Sequence, residues 1–427
     1  MAVLWNLKSE SRDLRVLDRI RVGVLFGGVS PEHEVSIISA HQAIAAMDRR
    51  RFEPVGVYVG KDGAWFTGSV VLELDAYSDL DDLRARATRV HLDPAGGGRL
   101  ALVPVRKGGW FTRPGSTDMI DVVLPAFHGG SGEDGGLQGL CEMFGVPYAG
   151  SGVLGSSLGM DKVLSKVLTR AAGIPVVEFI GLREDEWAEN EEACLDRIVR
   201  DIGVPAMVKP ARLGSSIGIA MARDRASLDS AIEDAFRYDS KVIVERAVEQ
   251  LKEINCSVLG SADSVRLSAL EQPVRSSPEE LLTFADKYQR GPGRGKSAAG
   301  GSKSGPGGMA SLDRIIPAPL PAAMETEIRT LAEKIFRLHD CSGVVRIDFL
   351  IDEASDSVYF NEVNTIPGSF AFYLWEPEGT TFPDLVTLLI EQALARHEDT
   401  KARVRSYDVN LLSAGSIKGL KGAKRSS

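Results

Sequence analysis

The chain has 427 residues, 44% of them hydrophobic and 26% charged, with a formal net charge of −9. That length supports two or three domains with buried cores; the composition is ordinary for a soluble globular protein, and the acidic balance argues against a nucleic-acid partner. No run reaches the roughly 18 apolar residues of a membrane span, and Cys141, Cys194, Cys256 and Cys341 form no CxxC pair, which argues against a zinc site or disulfide framework.

Residues 1–20 carry Glu10, Asp13 and Asp18 without an apolar core, and are expected to be an N-terminal extension rather than a signal peptide. Reduced, buried cysteines suit a cytoplasmic protein. Residues 21–26 (RVGVLF) predict a buried strand, Val35–Met47 an Ala-rich helix and Val55–Val59 a second strand, the opening βαβ of an α/β domain. The turn holding Glu32, His33 and Glu34 falls beyond a strand C-terminus, where such sheets place ligands. Acids also favour helix N-termini on charge alone, which explains Glu34 better than Glu32. Residues 60–118 yield only a short helix near Asp79–Arg89 and glycine turns. Ile120–Leu124 is a strand that brings His128 to its end. A glycine-rich loop with Glu133 and Asp134 then leads into a helix at Leu137–Phe144. His and carboxylate there suit a substrate; a His satisfied by backbone is the equal alternative on this segment alone.

Gly150–Gly155 (GSGVLG) matches GxGxxG, but that fingerprint opens a first βαβ unit after a full strand, and only Val146–Ala149 precedes it here. GPGRGKS at 291–297 has Arg290 where a P-loop requires Gly. A helix from Ser156 to near Gly173 carries Asp161, Lys162 and Lys166. Val176–Ile180 follows as a strand and Asn190–Ile202 as a helix. Ala206–Val208 delivers Lys209 ahead of the small-residue loop Leu213–Ile217, whose backbone N–H groups suit phosphates. Lys241–Glu245 and Ile254–Leu259 are strands; Glu245 and Glu253 beside them suit adenine and ribose as well as they suit solvent. Residues 289–311, rich in Gly, Ser, Lys and Pro, predict a polar lid insertion, and Ala322–His339 a helix.

The rest of the chain is organised around Gly343–Gly368. Val344–Asp352 and Val358–Asn364 flank a polar turn as a hairpin. Alternation puts Arg346 and Asp348 on one face. A turn closing with Asp352 opposite Val358 sets Asp348 opposite Glu362 and Arg346 opposite Asn364. Opposed residues lie about 4.5–5.5 Å apart, and like charges there repel, so a positive partner is needed. Mg²⁺ fits, since it takes oxygen ligands from one or two carboxylates plus phosphates; solvated acids on a surface hairpin are the alternative. Phe382–Arg396 predicts an amphipathic helix and 397–427 a basic flexible tail.

Six segments in order, VLFGGVSPEHEVS, FHGGSGEDGGLQG, PYAGSGVLGSSLGMDK, VKPARLGSSIG, DKY and RIDF…NEVNTIPGS, resemble the D-alanine–D-alanine ligases of the ATP-grasp superfamily over about residues 21–395. The resemblance implies an α/β fold class, α+β in the C-terminal part. A doubly wound N-terminal substrate domain at 21–150 would precede a two-lobed ATP-grasp fold, with its central lobe at 151–240 and its C-terminal lobe at 241–396. It implies a cytoplasmic enzyme, homodimeric, with ATP and D-alanine as small-molecule partners and two Mg²⁺ ions, Mn²⁺ being the alternative. One D-alanine carboxylate would attack ATP, and a second D-alanine would capture the acyl phosphate to give the peptidoglycan dipeptide.

Carried over by motif, Glu32 would bind the first substrate's ammonium, held by Ser215 and Tyr288. His128, with Glu133 behind it, would face the second substrate. Lys162, Lys209, Lys287 and the Ser216 amide would bind ATP phosphates, with Glu245 near adenine and Glu253 on ribose. Asp348, Glu362 and Asn364 would hold the metals, and Arg346 and the Gly368 backbone the tetrahedral oxyanion. Tyr373 stands in the frame of the family's carboxylate-binding Ser, and the lid insertion and basic tail are additions. These departures keep two alternatives in view: a related ligase with D-lactate, D-serine or another acceptor, and an inactive nucleotide-binding regulator. A dehydrogenase built on GSGVLG is a more distant one.

Overall fold

A computed structural model describes residues 19–105, 117–261, 263–274 and 314–404. Lys287, Tyr288, the P-loop-like GPGRGKS and the 289–311 insertion lie outside the described residues. The described chain is built on three sheets.

The first contains β1 (Ile20–Gly27), β2 (Phe52–Val59), β3 (Trp65–Thr67), β4 (Thr88–Gly96), β5 (Arg99–Pro104), β6 (Asp118–Ile120) and β7 (Val122–Pro125), in the order β6-β5-β4-β3-β2-β1-β7. β1 runs parallel to β2 and β7, as a βαβ unit requires, and β2 to β6 are antiparallel neighbours. Alternation along β1 sends Val22, Val24 and Phe26 into one core and Leu25 into another. The first core includes the helices His33–Ala46 and Phe382–Lys401, the second Gly136–Phe144. A strand covered on both faces must be apolar, as residues 22–26 are, with Arg21 only at the partly exposed start.

The second sheet is antiparallel, β10 (Ala220–Ala222), β9 (Ala206–Pro210), β11 (Lys241–Arg246) and β8 (Phe179–Arg183) in that spatial order. Ala206, Val208, Val242 and Val244 face the helices Glu191–Asp201 and Arg225–Phe236, so Lys209 and Glu245 emerge on the opposite face. The third sheet is also antiparallel: β14 (Arg314–Ile315), β13 (Val265–Pro273), β12 (Leu251–Gly260), β15 (Gly343–Asp352) and β16 (Ser357–Asn364). Ile254, Cys256, Val258, Val345, Ile347 and Phe349 pack with the helix Ala322–Leu338, leaving Glu253, Asn255, Arg346 and Asp348 on the other face.

Several expectations shift. β11 pairs with β9 and β8, so Lys241–Arg246, expected with the C-terminal lobe, lies in the second sheet. The last helix continues past Arg396 to Lys401, so the expected tail begins helical. The strand expected at Val176–Ile180 is β8, displaced towards the C-terminus, because Val176 bridges Phe360 instead. The single helix after Ser156 is two, Val153–Met160 and Lys162–Ala171, with Asp161 as the N-cap between them. Within GSGVLG, a Cβ at Gly155 would lie 2.6 Å from the Asp340 carbonyl oxygen: the residue is small for packing. No described helix is long and apolar enough to cross a membrane.

Candidate active site

Two adjoining cavities open among the sheets, one of about 70 Å³ bordered from all three sides and one of about 470 Å³ between the second and third. Lys162, Ser215, Arg346 and Glu362 border both. The smaller is otherwise lined by Glu32, His128, Glu133, Asn364 and Gly368. The larger is lined by Lys209, Ser216, Glu245, Glu253 and Asp348 among others.

In the smaller cavity, Glu32 is buried just before the helix His33–Ala46 and accepts the Ser215 hydroxyl. A Cβ at Gly214 would sit 2.8 Å from Glu32 Oε2, so glycine there permits the close approach. Glu133 accepts the Gly129 N–H at 2.8 Å and the Ile366 N–H at 3.1 Å. Burial, with Glu32 adding to it, pushes its carboxyl up to about 7. His128 is 4% exposed, and burial brings its imidazole down to about 4.

Between the cavities, the Lys162 ammonium donates to the Leu213 carbonyl at 2.6 Å and lies 3.3 Å from Glu362. The Asp161 cap turns Lys162 there, since it ends one helix and starts the next. In the larger cavity Glu245, 2% exposed, meets Lys166 at 2.7 Å and Lys209 at 2.5 Å. Burial opposes its charge, but the two ammonium groups outweigh burial and hold the carboxyl at about 2. Both Glu245 oxygens are thus engaged by lysines, and Lys166 joins the site on the same helical face as Lys162 (i, i+4).

The expected opposition of Asp348 to Glu362 and Arg346 to Asn364 is present. The turn is not as expected: Ser357 faces Asp352, and a bulge between Asp348 and Phe349 restores the register. Arg346 grips Asp348 with two hydrogen bonds, 2.7 and 2.8 Å, and Asn364 Nδ2 donates to the same carboxylate at 3.0 Å. Buried charges require such partners. The sheet register extends this row: Glu271 faces Asn255, and Asn255 faces Asp348. Asn255 donates to Glu271 at 3.3 Å, and Arg314 reaches Glu271 at 3.2 Å. Neither Asn255 nor Glu271 stands out in the sequence, because each lies among other polar residues of its strand.

Asp348, Glu362 and Asn364 offer carboxylate and amide oxygens on one face, at the junction of the cavities, a donor set that fits a hard divalent cation. Of the described residues given a site role by the resemblance, Tyr373 alone lines neither cavity. It is buried, with the Arg314 guanidinium 3.7 Å from its ring centroid, away from both cavities. The reason lies just before it: Ser369, Phe370 and Ala371 have φ of 54°, 55° and 49°, and this left-handed turn re-aims the chain.

Residues 21–151 match the family model described as D-ala D-ala ligase N-terminus, and 168–304 with 307–391 match D-ala D-ala ligase C-terminus. A D-alanine–D-alanine ligase from Thermosipho melanesiensis is 35% identical over 393 residues, covering 92% of this chain and 98% of its own. Among solved structures, a D-alanine–D-alanine ligase from Coxiella burnetii superposes with a TM-score of 0.72 at 26% identity, over 92% of this chain and 100% of that one. A D-Ala:D-Ser ligase from Enterococcus faecalis superposes at 0.69 and 28%, over 88% and 100%.

Proposed function

The chain belongs to the D-alanine–D-alanine ligase family, and from that premise we propose how its two cavities divide one reaction. It is an ATP-dependent carboxylate–amine ligase that joins two D-alanine molecules for peptidoglycan and releases ADP and phosphate. The observation that supports the division of labour is the common wall: Lys162, Ser215, Arg346 and Glu362 border both cavities.

The larger cavity takes ATP and the smaller takes the amino acids. Lys162, Lys209, Lys287 and the Ser216 amide neutralise and orient the phosphates, the main demand of phosphoryl transfer. Glu253 takes the ribose. Glu245, whose oxygens meet Lys166 and Lys209, holds those lysines beneath the nucleotide and does not serve adenine alone. Glu32 receives the first ammonium group, with Ser215 and Tyr288 fixing its carboxylate. The first D-alanine's carboxylate oxygen then attacks the γ-phosphorus, and the bond to the β–γ bridging oxygen breaks to release ADP. The second amine, having lost a proton, attacks the acyl carbon; the tetrahedral centre collapses and phosphate leaves. Arg346 and the Gly368 N–H face the oxyanion, where preorganised donors count most. Asp348, Glu362 and Asn364 are the residues that would hold Mg²⁺, which when bound neutralises charge on the transferring phosphoryl group. Family membership further supports an N-terminal substrate domain followed by two ATP-grasp lobes, a cytoplasmic location and a homodimer.

D-Alanine labelled with oxygen-18 in its carboxylate tests this order of steps. The attacking oxygen leaves with phosphate, so one labelled atom is expected in each phosphate released. Phosphate without label would overturn the acyl-phosphate route.

A further inference from the structure

Ser39 belongs to none of the roles assigned above. In the sequence it is one more small residue in an Ala-rich helix, His33–Ala46. Its side chain is 1% exposed, and its Oγ lies 2.7 Å from His128 Nε2 while accepting the Ser369 N–H at 3.0 Å. A backbone hydrogen bond with Ile366 favours the protonated ring, and with Nε2 against Ser39 the nitrogen left to face that carbonyl is Nδ1. One hydroxyl therefore joins three distant pieces of chain: the first helix, the segment after β7, and the loop after β16.

We propose that Ser39 is a positioning residue for the second-substrate end of the site, selecting the His128 tautomer and anchoring the left-handed turn that follows Gly368. This rests on the reading that His128 and Gly368 face the second amino acid. A serine hydroxyl has one proton and two lone pairs. One lone pair takes the Ser369 N–H. With Nδ1–H committed to Ile366, a neutral ring presents a bare Nε2, and the hydroxyl proton must go there. A protonated ring would instead point an N–H at Ser39 and drive its proton to another acceptor. A neutral His128 then has both nitrogens occupied, so it has no N–H left for substrate and serves as wall.

The turn needs an anchor of this kind. Ser369, Phe370 and Ala371 are all left-handed, a conformation L side chains avoid because Cβ crowds the following carbonyl; such segments persist when their surroundings over-determine them. The first N–H of that turn is the one Ser39 holds. The charged groups around His128 are Arg346, which acts on it directly, and Glu32, Glu133, Lys162 and Glu362 on the same cavity.

Nitrogen-15 NMR of the full chain with labelled histidine reads the tautomer directly, His128→Gln serving to assign the signal. The wild type should show a protonated Nδ1 and a bare Nε2 at neutral pH. Ser39→Ala should lose that bias and raise the KM for the second D-alanine about tenfold, as for loss of a buried hydrogen-bond partner, with the KM for ATP unchanged. Ser39→Thr, which keeps the hydroxyl, should restore both. An Nε2–H tautomer in the wild type overturns the proposal, even if Ser39→Ala fails to fold. So does an unchanged KM in a folded Ser39→Ala. The expected tautomer in an enzyme that does not use D-alanine would uphold the Ser39 contact and refute the substrate reading instead.

Discussion

His128 and Glu133 line the same small cavity, and burial moves their proton affinities in opposite directions. His128 falls from 6.5 to about 4, so across that pH window the unfolded chain holds a proton the folded chain has shed, and stability rises with pH. Glu133 climbs from 4.5 to about 7, so there the folded chain holds the extra proton and stability falls with pH. Each effect amounts to about 3 kcal/mol at full extent. The windows overlap and the two largely cancel. Relative to wild type, urea unfolding of His128→Gln should therefore give a stability that drops as pH rises from about 4 to 6.5. That of Glu133→Gln should climb from 4.5 to about 7. Curves parallel to wild type in both variants would mean that neither group is perturbed by folding.

Asp161 shows how one junction between elements serves the site. Its carboxylate accepts the Val163 and Leu164 N–H groups at 3.1 and 3.0 Å and meets Lys241 at 2.5 Å. The break it makes between helices turns Lys162 towards Leu213 and Glu362. Asp161→Ala should cost about 1–2 kcal/mol in chemical denaturation, as for a lost N-cap, and raise the KM for ATP about fivefold, on the order of 1 kcal/mol of binding. An unchanged KM would separate the junction from the nucleotide site. At this scale the hairpin was legible because strand alternation and the need to compensate two acids pointed to one register. The bulge was not legible, since nothing in the polar and apolar pattern of β16 marks Asn361 as the extra residue, and it cancels the one-residue error at the turn. Asn255 and Glu271 align with Asp348 only through the strand order β13-β12-β15-β16, which local pattern does not carry. β3 and β6, three residues each, are too short for a period to show. That Tyr373 lies away from both cavities was not legible, because counting from Gly368 assumes an ordinary turn and the chain there runs left-handed.

Across the whole molecule, the last helix returns from the third sheet to the first, so Leu385, Val386, Leu389 and Ile390 share a core with Val22, Val24 and Phe26, and with Val344 and Leu259. The second sheet keeps its own core, packs Phe179 of β8 against the core of the third, and meets the others through polar contacts such as Lys209 with Asn361 and Ser215 with Glu32. The reacting groups thus come from all three sheets, and no one sheet carries a complete site. The net charge of −9 coexists with Lys162 and Lys209 on the wall of the larger cavity, which is why the bulk number argues against nucleic acid without excluding a nucleotide. The most direct test of the central claim is phosphate release from ATP and Mg²⁺ with D-alanine as the only amino acid, the product identified by mass, beside parallel reactions that pair D-alanine with D-serine and D-lactate. One phosphate for each D-alanyl-D-alanine, formed faster than any mixed product, is the predicted result. Turnover confined to a mixed pair, or none with any pair, would contradict it.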